Sequence, residues 1–200
     1  MSTAPASRRL FLAGLTLGVC GGAGGLWLAQ RLTHEPSVKS EAKAMSTLDH
    51  PKYMRLAIEQ AKKVPELPFG AVIVDAQSGA VLAEGHNRSK ESPTFHGEID
   101  VINRLAAQQK VDDWSGLALY TTAEPCPMCQ SAVEWAGIGL VVFGSSIPFL
   151  EQLGWWQIHI RAEEVIRQTP FRQTALIGGV LEAECNQLFL AVPKGLYRAK

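Results

Sequence analysis

Apolar residues recur at helical spacing over residues 50–64, where Tyr53, Met54, Ala57, Ile58, Ala61 and Val64 fall on one face. This pattern predicts an amphipathic helix, stopped by Pro65 and Pro68. Two short apolar runs, residues 69–75 and 80–85, flank Gln77-Ser78-Gly79 and read as strand, tight turn and strand, paired antiparallel. Residues 87–95 are polar and contain Pro93, as expected of a loop. It feeds a helix over residues 96–109 whose buried side is Ile99, Val101, Ile102 and Leu105. Residues 117–121 predict a third strand. Glu124-Pro125 opens a helix running to Ala136, since proline is favoured near helix starts. Residues 140–144 form a fourth, fully buried strand; residues 175–177 form a weaker fifth, before a helix over 181–190. Strands alternating with helices of this length predict an α/β protein, a three-layer α/β/α sandwich with one sheet between helices.

The composition changes this picture little: 200 residues, 46% hydrophobic and 19% charged, suffice for one domain with a real core. Disordered and collagen-like classes are excluded. Charge is more informative. The formal net charge is zero, but residues 45–200 carry 14 basic and 17 acidic residues. Polyanion binding draws most of its affinity from Lys and Arg on phosphates, so this balance favours a small substrate and makes nucleic acid unlikely as a partner. Four cysteines do not make a disulfide scaffold at this length. Two of them form a CxxC pair, Cys126 and Cys129, and Cys185 reads as a small buried hydrophobe.

Residues 1–44 stand apart. Ser7-Arg8-Arg9-Leu10-Phe11-Leu12, before the uncharged stretch 10–29, resembles a bacterial twin-arginine export signal. It departs from that pattern at Ala13, where lysine is common, and in its long final region. Ala42-Lys43-Ala44 offers a cleavage site before Met45. The implied organisation is a signal or anchor with linker over 1–44 and a folded domain over 45–200, exported to the periplasm. Two alternatives stand beside it. Residues 10–29 are long enough to remain as a membrane anchor, the chain's only membrane contact if uncleaved; or translation starts at Met45 and the protein is cytoplasmic. Lipidation of Cys20 is disfavoured by Val19 before it.

The candidate chemistry lies in two short motifs, His96-Gly97-Glu98 and Pro125-Cys126-Pro127-Met128-Cys129, separated by 26 residues. Cysteines at i and i+3 on a first helical turn share a face, and the positive helix end favours their thiolates. One imidazole and two thiolates give three metal ligands. That leaves a fourth tetrahedral position for water, as catalytic zinc requires and structural zinc does not. Zinc lowers the pKa of bound water toward about 7, and Glu98, two residues past His96, can take up the released proton and hand it on. Separately the motifs say little: a lone histidine is usually a cap or core residue, and a lone CxxC is as readily redox-active or structural. Together they match the H-x-E…P-C-x-x-C signature of zinc deaminases.

On these residues, about 50–189 resemble the cytidine/deoxycytidylate deaminase superfamily, near its guanine, fungal-type cytosine and tRNA adenosine branches. Pro68-Phe69-Gly70-Ala71-Val72-Ile73-Val74 resembles the pocket-lining strand of guanine deaminases, implying that Phe69 and Ala71 bind substrate. Gly85-His86-Asn87 and Phe95-His96-Gly97-Glu98-Ile99 resemble cytosine deaminase. Asn87 stands where the family's asparagine bonds the base or ribose, and Phe95 sets a bulky ring beside the metal histidine. Residues 121–129 and 179–185 resemble the guanine and tRNA branches. The resemblance implies a mixed five-stranded sheet between helices, one Zn²⁺ per subunit on His96, Cys126 and Cys129, Glu98 as the catalytic residue, and a homodimer.

Gly97 departs from the alanine of the purine branches. Residues 145–174, with Trp155 and Trp156, match no branch and are read either as a lid stacking on a flat base or as core or dimer packing. The implied activity is hydrolytic deamination of a nucleobase or nucleoside, guanine or a related purine slightly ahead of cytosine because of residues 124–129. The alternative is a tRNA adenosine-to-inosine deaminase, whose branch usually carries a basic tail; the last eight residues here hold only three basic side chains. A second alternative is a non-catalytic zinc-stabilised or thiol-redox protein.

Overall fold

The computed structural model describes residues 44–171 and 174–193. The predicted export signal and the end of the chain lie outside the described residues.

Helix α1 (His50–Ala61) opens on Asp49, whose carboxylate accepts from Lys52 N at 3.0 Å. It ends before the apolar pattern does. The chain then tightens into turns through Val64 N to Ala61 O and Leu67 N to Val64 O, because a residue preceding proline is driven out of helical backbone. Strands β1 (Gly70–Asp75) and β2 (Val81–His86) form the expected antiparallel hairpin, turning at Gly79 with φ +70°. Then follow α2 (Gly97–Gln108), β3 (Leu117–Ala123), α3 (Pro127–Ala136), β4 (Leu140–Ser145), α4 (Ile147–Gln152), α5 (Ala162–Gln168), β5 (Ala175–Ile177) and α6 (Glu182–Leu190).

The sheet order is β2-β1-β3-β4-β5. Strand β1 runs antiparallel to β2 and β3, while β3, β4 and β5 are parallel, so the sheet is mixed and five-stranded. Alternation along the strands sends side chains to two layers. Val72, Val74, Tyr120 and Val142 pack with Tyr53, Met54, Ala57 and Ile58 of α1 and with Cys185 of α6. Ala71, Ile73, Leu119 and Val141 pack with Val101 and Leu105 of α2 and Val133 of α3. A third cluster, with Ala123, Leu150, Trp155, Phe189 and Val192, closes one end.

Two sequence-based expectations are corrected. Helix α3 starts at Pro127, not at Glu124-Pro125: Cys126 is its extended N-cap and Pro127 its first residue, the position where a missing N–H costs nothing. Cys126 therefore precedes the first turn and does not lie on it. The stretch 145–174, given no elements from its pattern, folds as the short helices α4 and α5.

Candidate metal centre and active site

The sheet brings two helix starts together. His96 is the N-cap of α2 and Cys126 the N-cap of α3; both have extended backbone, and neither side chain caps its own helix. Both are free to turn toward each other, and His96 Nδ1 lies 3.7 Å from Cys126 Sγ. Cys129, one turn on and fully buried, completes the group, with all three ligand atoms within 4.8 Å of one another. Atoms bound tetrahedrally to one zinc at about 2.0–2.3 Å lie roughly 3.3–3.8 Å apart, so the donor set fits that ion with small adjustments.

The electrostatics of this cluster suit a cation. The Cys126 thiol is lowered to about 4, first because Cys129 donates to it and then through His96. Cys129 moves the other way, held up by that same hydrogen bond and by burial. The two sulfurs thus part with one proton readily and hold the second tightly, until a dication replaces it. His96 is raised by its bond to Cys126. Glu98, 3% exposed, is raised by burial and then by the Cys126 charge, and accepts from Thr121 Oγ1 at 3.2 Å. A carboxyl group so placed gives up its proton less readily than an exposed one, which suits a group that takes up and passes on a proton.

Asn87, Phe69, Ala71 and Phe95, the residues expected to meet substrate, differ in burial. Asn87 is buried where the chain leaves β2; its N–H donates to Phe69 O at 2.9 Å, and its Oδ1 accepts from Ser89 N and Oγ. Phe69 is half-buried, its ring edge-on to Trp155 and tilted on Phe189. Ala71 is wholly buried in β1, paired with Thr121. Phe95 is half-buried, with the Arg88 guanidinium 5.7 Å from its ring centre. Gly97 has a packing reason: a Cβ there would stand 2.7 Å from Phe69 O, so glycine lets α2 start against β1. The two tryptophans separate, Trp155 packing in the third cluster and Trp156 being 63% exposed.

Three residues that the motifs give no role belong to this region. Thr121 bonds Glu98. Glu124, two residues before Cys126, is buried. Its carboxylate accepts from Ile147 N, Ala162 N and Arg161 Nε at 2.7–3.0 Å, holding the starts of α4 and α5 against the ligand loop. Asp100, buried on α2, ties down the loop before His96.

Residues 47–145 match the cytidine and deoxycytidylate deaminase zinc-binding region. A tRNA-specific adenosine deaminase of Bacillus subtilis is 34% identical over 74% of this chain and 91% of its own length. A guanine deaminase of the same organism is 35% identical over 54% and 72%. A solved guanine deaminase from Nitrosomonas europaea shares the fold, with TM-score 0.63 and 22% identity over 80% of this chain and 95% of that one. Architecture, ligand cluster and relatives together define a deaminase with a zinc-binding site, and the chain belongs to the cytidine/deoxycytidylate deaminase family.

Proposed function

We propose that the chain is a zinc-dependent hydrolytic deaminase of a free nucleobase or nucleoside, with guanine or a related purine ahead of cytosine. The observation that carries this reading is the convergence of His96, Cys126 and Cys129 beside the buried carboxyl group of Glu98. These three side chains would hold the zinc ion, which supplies the positive charge that makes water nucleophilic near neutral pH. The chain's own part is proton movement. Glu98 takes a proton from the attacking water and delivers it to the ring nitrogen beside the amino-bearing carbon. The second proton of the same water then passes from its oxygen to the amino group; the C–N bond breaks, ammonia leaves, and the ring carbon keeps the water oxygen as an oxo group. Thr121 steers Glu98 by donating to it.

Asn87 supports a choice of substrate polarity. Its Oδ1 is taken by Ser89, so the amide NH₂ is the end it can offer, which calls for an acceptor such as a ring carbonyl or a ribose oxygen. The purine preference rests on residues 124–129. One observation favours a second reading, tRNA adenosine deamination: the match to the tRNA-acting relative spans more of both chains than the match to guanine deaminase. The acidic balance of residues 45–200 weighs against it.

Ammonia release decides between them when guanine, cytosine, adenosine, cytidine and a tRNA anticodon stem-loop are offered to zinc-loaded protein. Turnover of guanine or another free base supports the first reading; turnover of the stem-loop alone overturns it. Export to the periplasm with cleavage before Met45, and association of two copies, complete the proposal. N-terminal sequencing of native protein that begins elsewhere than Met45 would remove the cleavage.

A further inference from the structure

Asn87 and His96 stand at the two ends of one loop, and what fixes that loop is a charged cluster outside the metal site. Asp100 lies one turn past His96, its N–H donating to His96 O at 2.9 Å, and its side chain is only 2% exposed. Its carboxylate reaches three segments. Oδ2 accepts from His86 N, the last residue of β2, at 3.2 Å and from Arg104 Nε at 2.7 Å; Oδ1 accepts from Arg88 Nη1 at 3.0 Å. Strand β2 can lie this close to α2 because residue 85 is glycine, where a Cβ would stand 2.7 Å from Val101 N.

Arg88 carries the hold around the loop. Its Nε donates to Glu91 at 2.8 Å, its guanidinium lies over the Phe95 ring, and its backbone N–H donates to Phe95 O at 2.8 Å. The two arginines and two carboxylates balance in charge, so Asp100 is compensated where it is buried.

We propose that Asp100 is a positioning residue for substrate binding: with Arg88 it closes the 87–96 loop so that Asn87 is presented at a fixed place relative to the metal ligand His96. Asp100 itself touches neither ligand nor reacting atom; its effect passes through the loop. Because Asn87 holds the ring and His96 is also anchored by Cys126 and helix α2, loosening the loop acts on substrate affinity and spares metal binding. The kinetic part of this inference rests on the deaminase reading above; the loop itself does not.

The test compares zinc-loaded wild type with Asp100→Asn, which keeps the shape but removes the charge that gathers the two arginines, and with Arg88→Gln. Hydrogen–deuterium exchange of the amides of residues 87–96 is expected to rise about tenfold or more in both variants, as local protection is lost. Exchange in β3 and α3 stays unchanged and zinc stays at one per chain. On the substrate found for wild type, KM is expected to rise several-fold or more with kcat within about twofold, the pattern of lost binding common to ground and transition states. The double variant should be little worse than either single one. Unchanged loop exchange overturns the proposal. So does raised exchange with KM unaltered, or a loss carried by kcat or by zinc. If wild type turns over no base, the deaminase reading fails while loop exchange still decides whether Asp100 and Arg88 hold the loop.

Discussion

At the scale of single residues, the site is a problem of where protons and negative charge are tolerated. Two thiols and one imidazole crowd together with their ligand atoms within 4.8 Å of one another, and burial raises Glu98 while the Cys129 hydrogen bond lowers Cys126. Glu98→Gln keeps the size and the bond from Thr121 but cannot carry a proton. It is expected to lower kcat by about 100-fold or more, within the usual range for a lost general acid–base, with zinc content unchanged by metal analysis. Activity retained within tenfold would remove Glu98 from its role.

The ligand residues were legible in the sequence because residue types and spacing announce them. Thr121, Asp100 and Glu124 were not: apart from Arg104, four residues past Asp100, their partners lie 23, 12 to 14 and 23 to 38 residues away, and only the folded sheet brings these together.

Among elements, legibility followed length and period. The strands emerged within a residue or two because their apolar runs are bounded by turn residues, and α2 emerged because His96 precedes a clear helical stripe. The start of α3 was misjudged because Pro125 and Pro127 both suit a helix N-terminus, and only backbone geometry shows which occupies it. Helices α4 and α5 have six and seven residues, too few for a helical period to stand out. They depend on Glu124 instead, which holds both helix starts. Glu124→Ala is expected to cost about 3 kcal/mol in urea unfolding, the upper range for hydrogen bonds to a charged group; a cost under about 0.5 kcal/mol, the level of an ordinary surface change, would deny that anchoring.

Helix α1 carries a pH dependence. His50 is lowered by burial, outweighing the opposite pull of Asp49, and its Nδ1 lies 2.9 Å from the Tyr120 hydroxyl. With Nδ1 unprotonated, Tyr120 donates to it. Below about pH 6.5 the unfolded chain takes a proton that folded His50 resists. Stability is therefore full above that pH and declines as pH falls toward the lowered folded value. The melting temperature should drop between about pH 7 and pH 5, and His50→Gln should flatten part of that drop. An unchanged slope in the variant would exclude His50 as its source.

For the molecule as a whole, the mixed sheet is what makes the site possible. Parallel β3 and β4 with antiparallel β1 set the start of α2 beside the start of α3. The proposed association of two copies would have a candidate face in the exposed Trp135 ring, 5.2 Å from that of Phe171 and flanking a groove that Ile160 also lines. Sedimentation is expected to give twice the chain mass, and Trp135→Glu to shift it toward a single copy. A wild-type monomer at micromolar concentration would remove this expectation.

The proposed chemistry requires three side chains from two helix starts to share one cation. Zinc K-edge absorption spectroscopy of the purified protein reads that directly. The expected shell is two sulfurs at about 2.3 Å and two lighter atoms at about 2.0–2.1 Å. Three or four sulfurs, or zinc lacking sulfur neighbours, would contradict it.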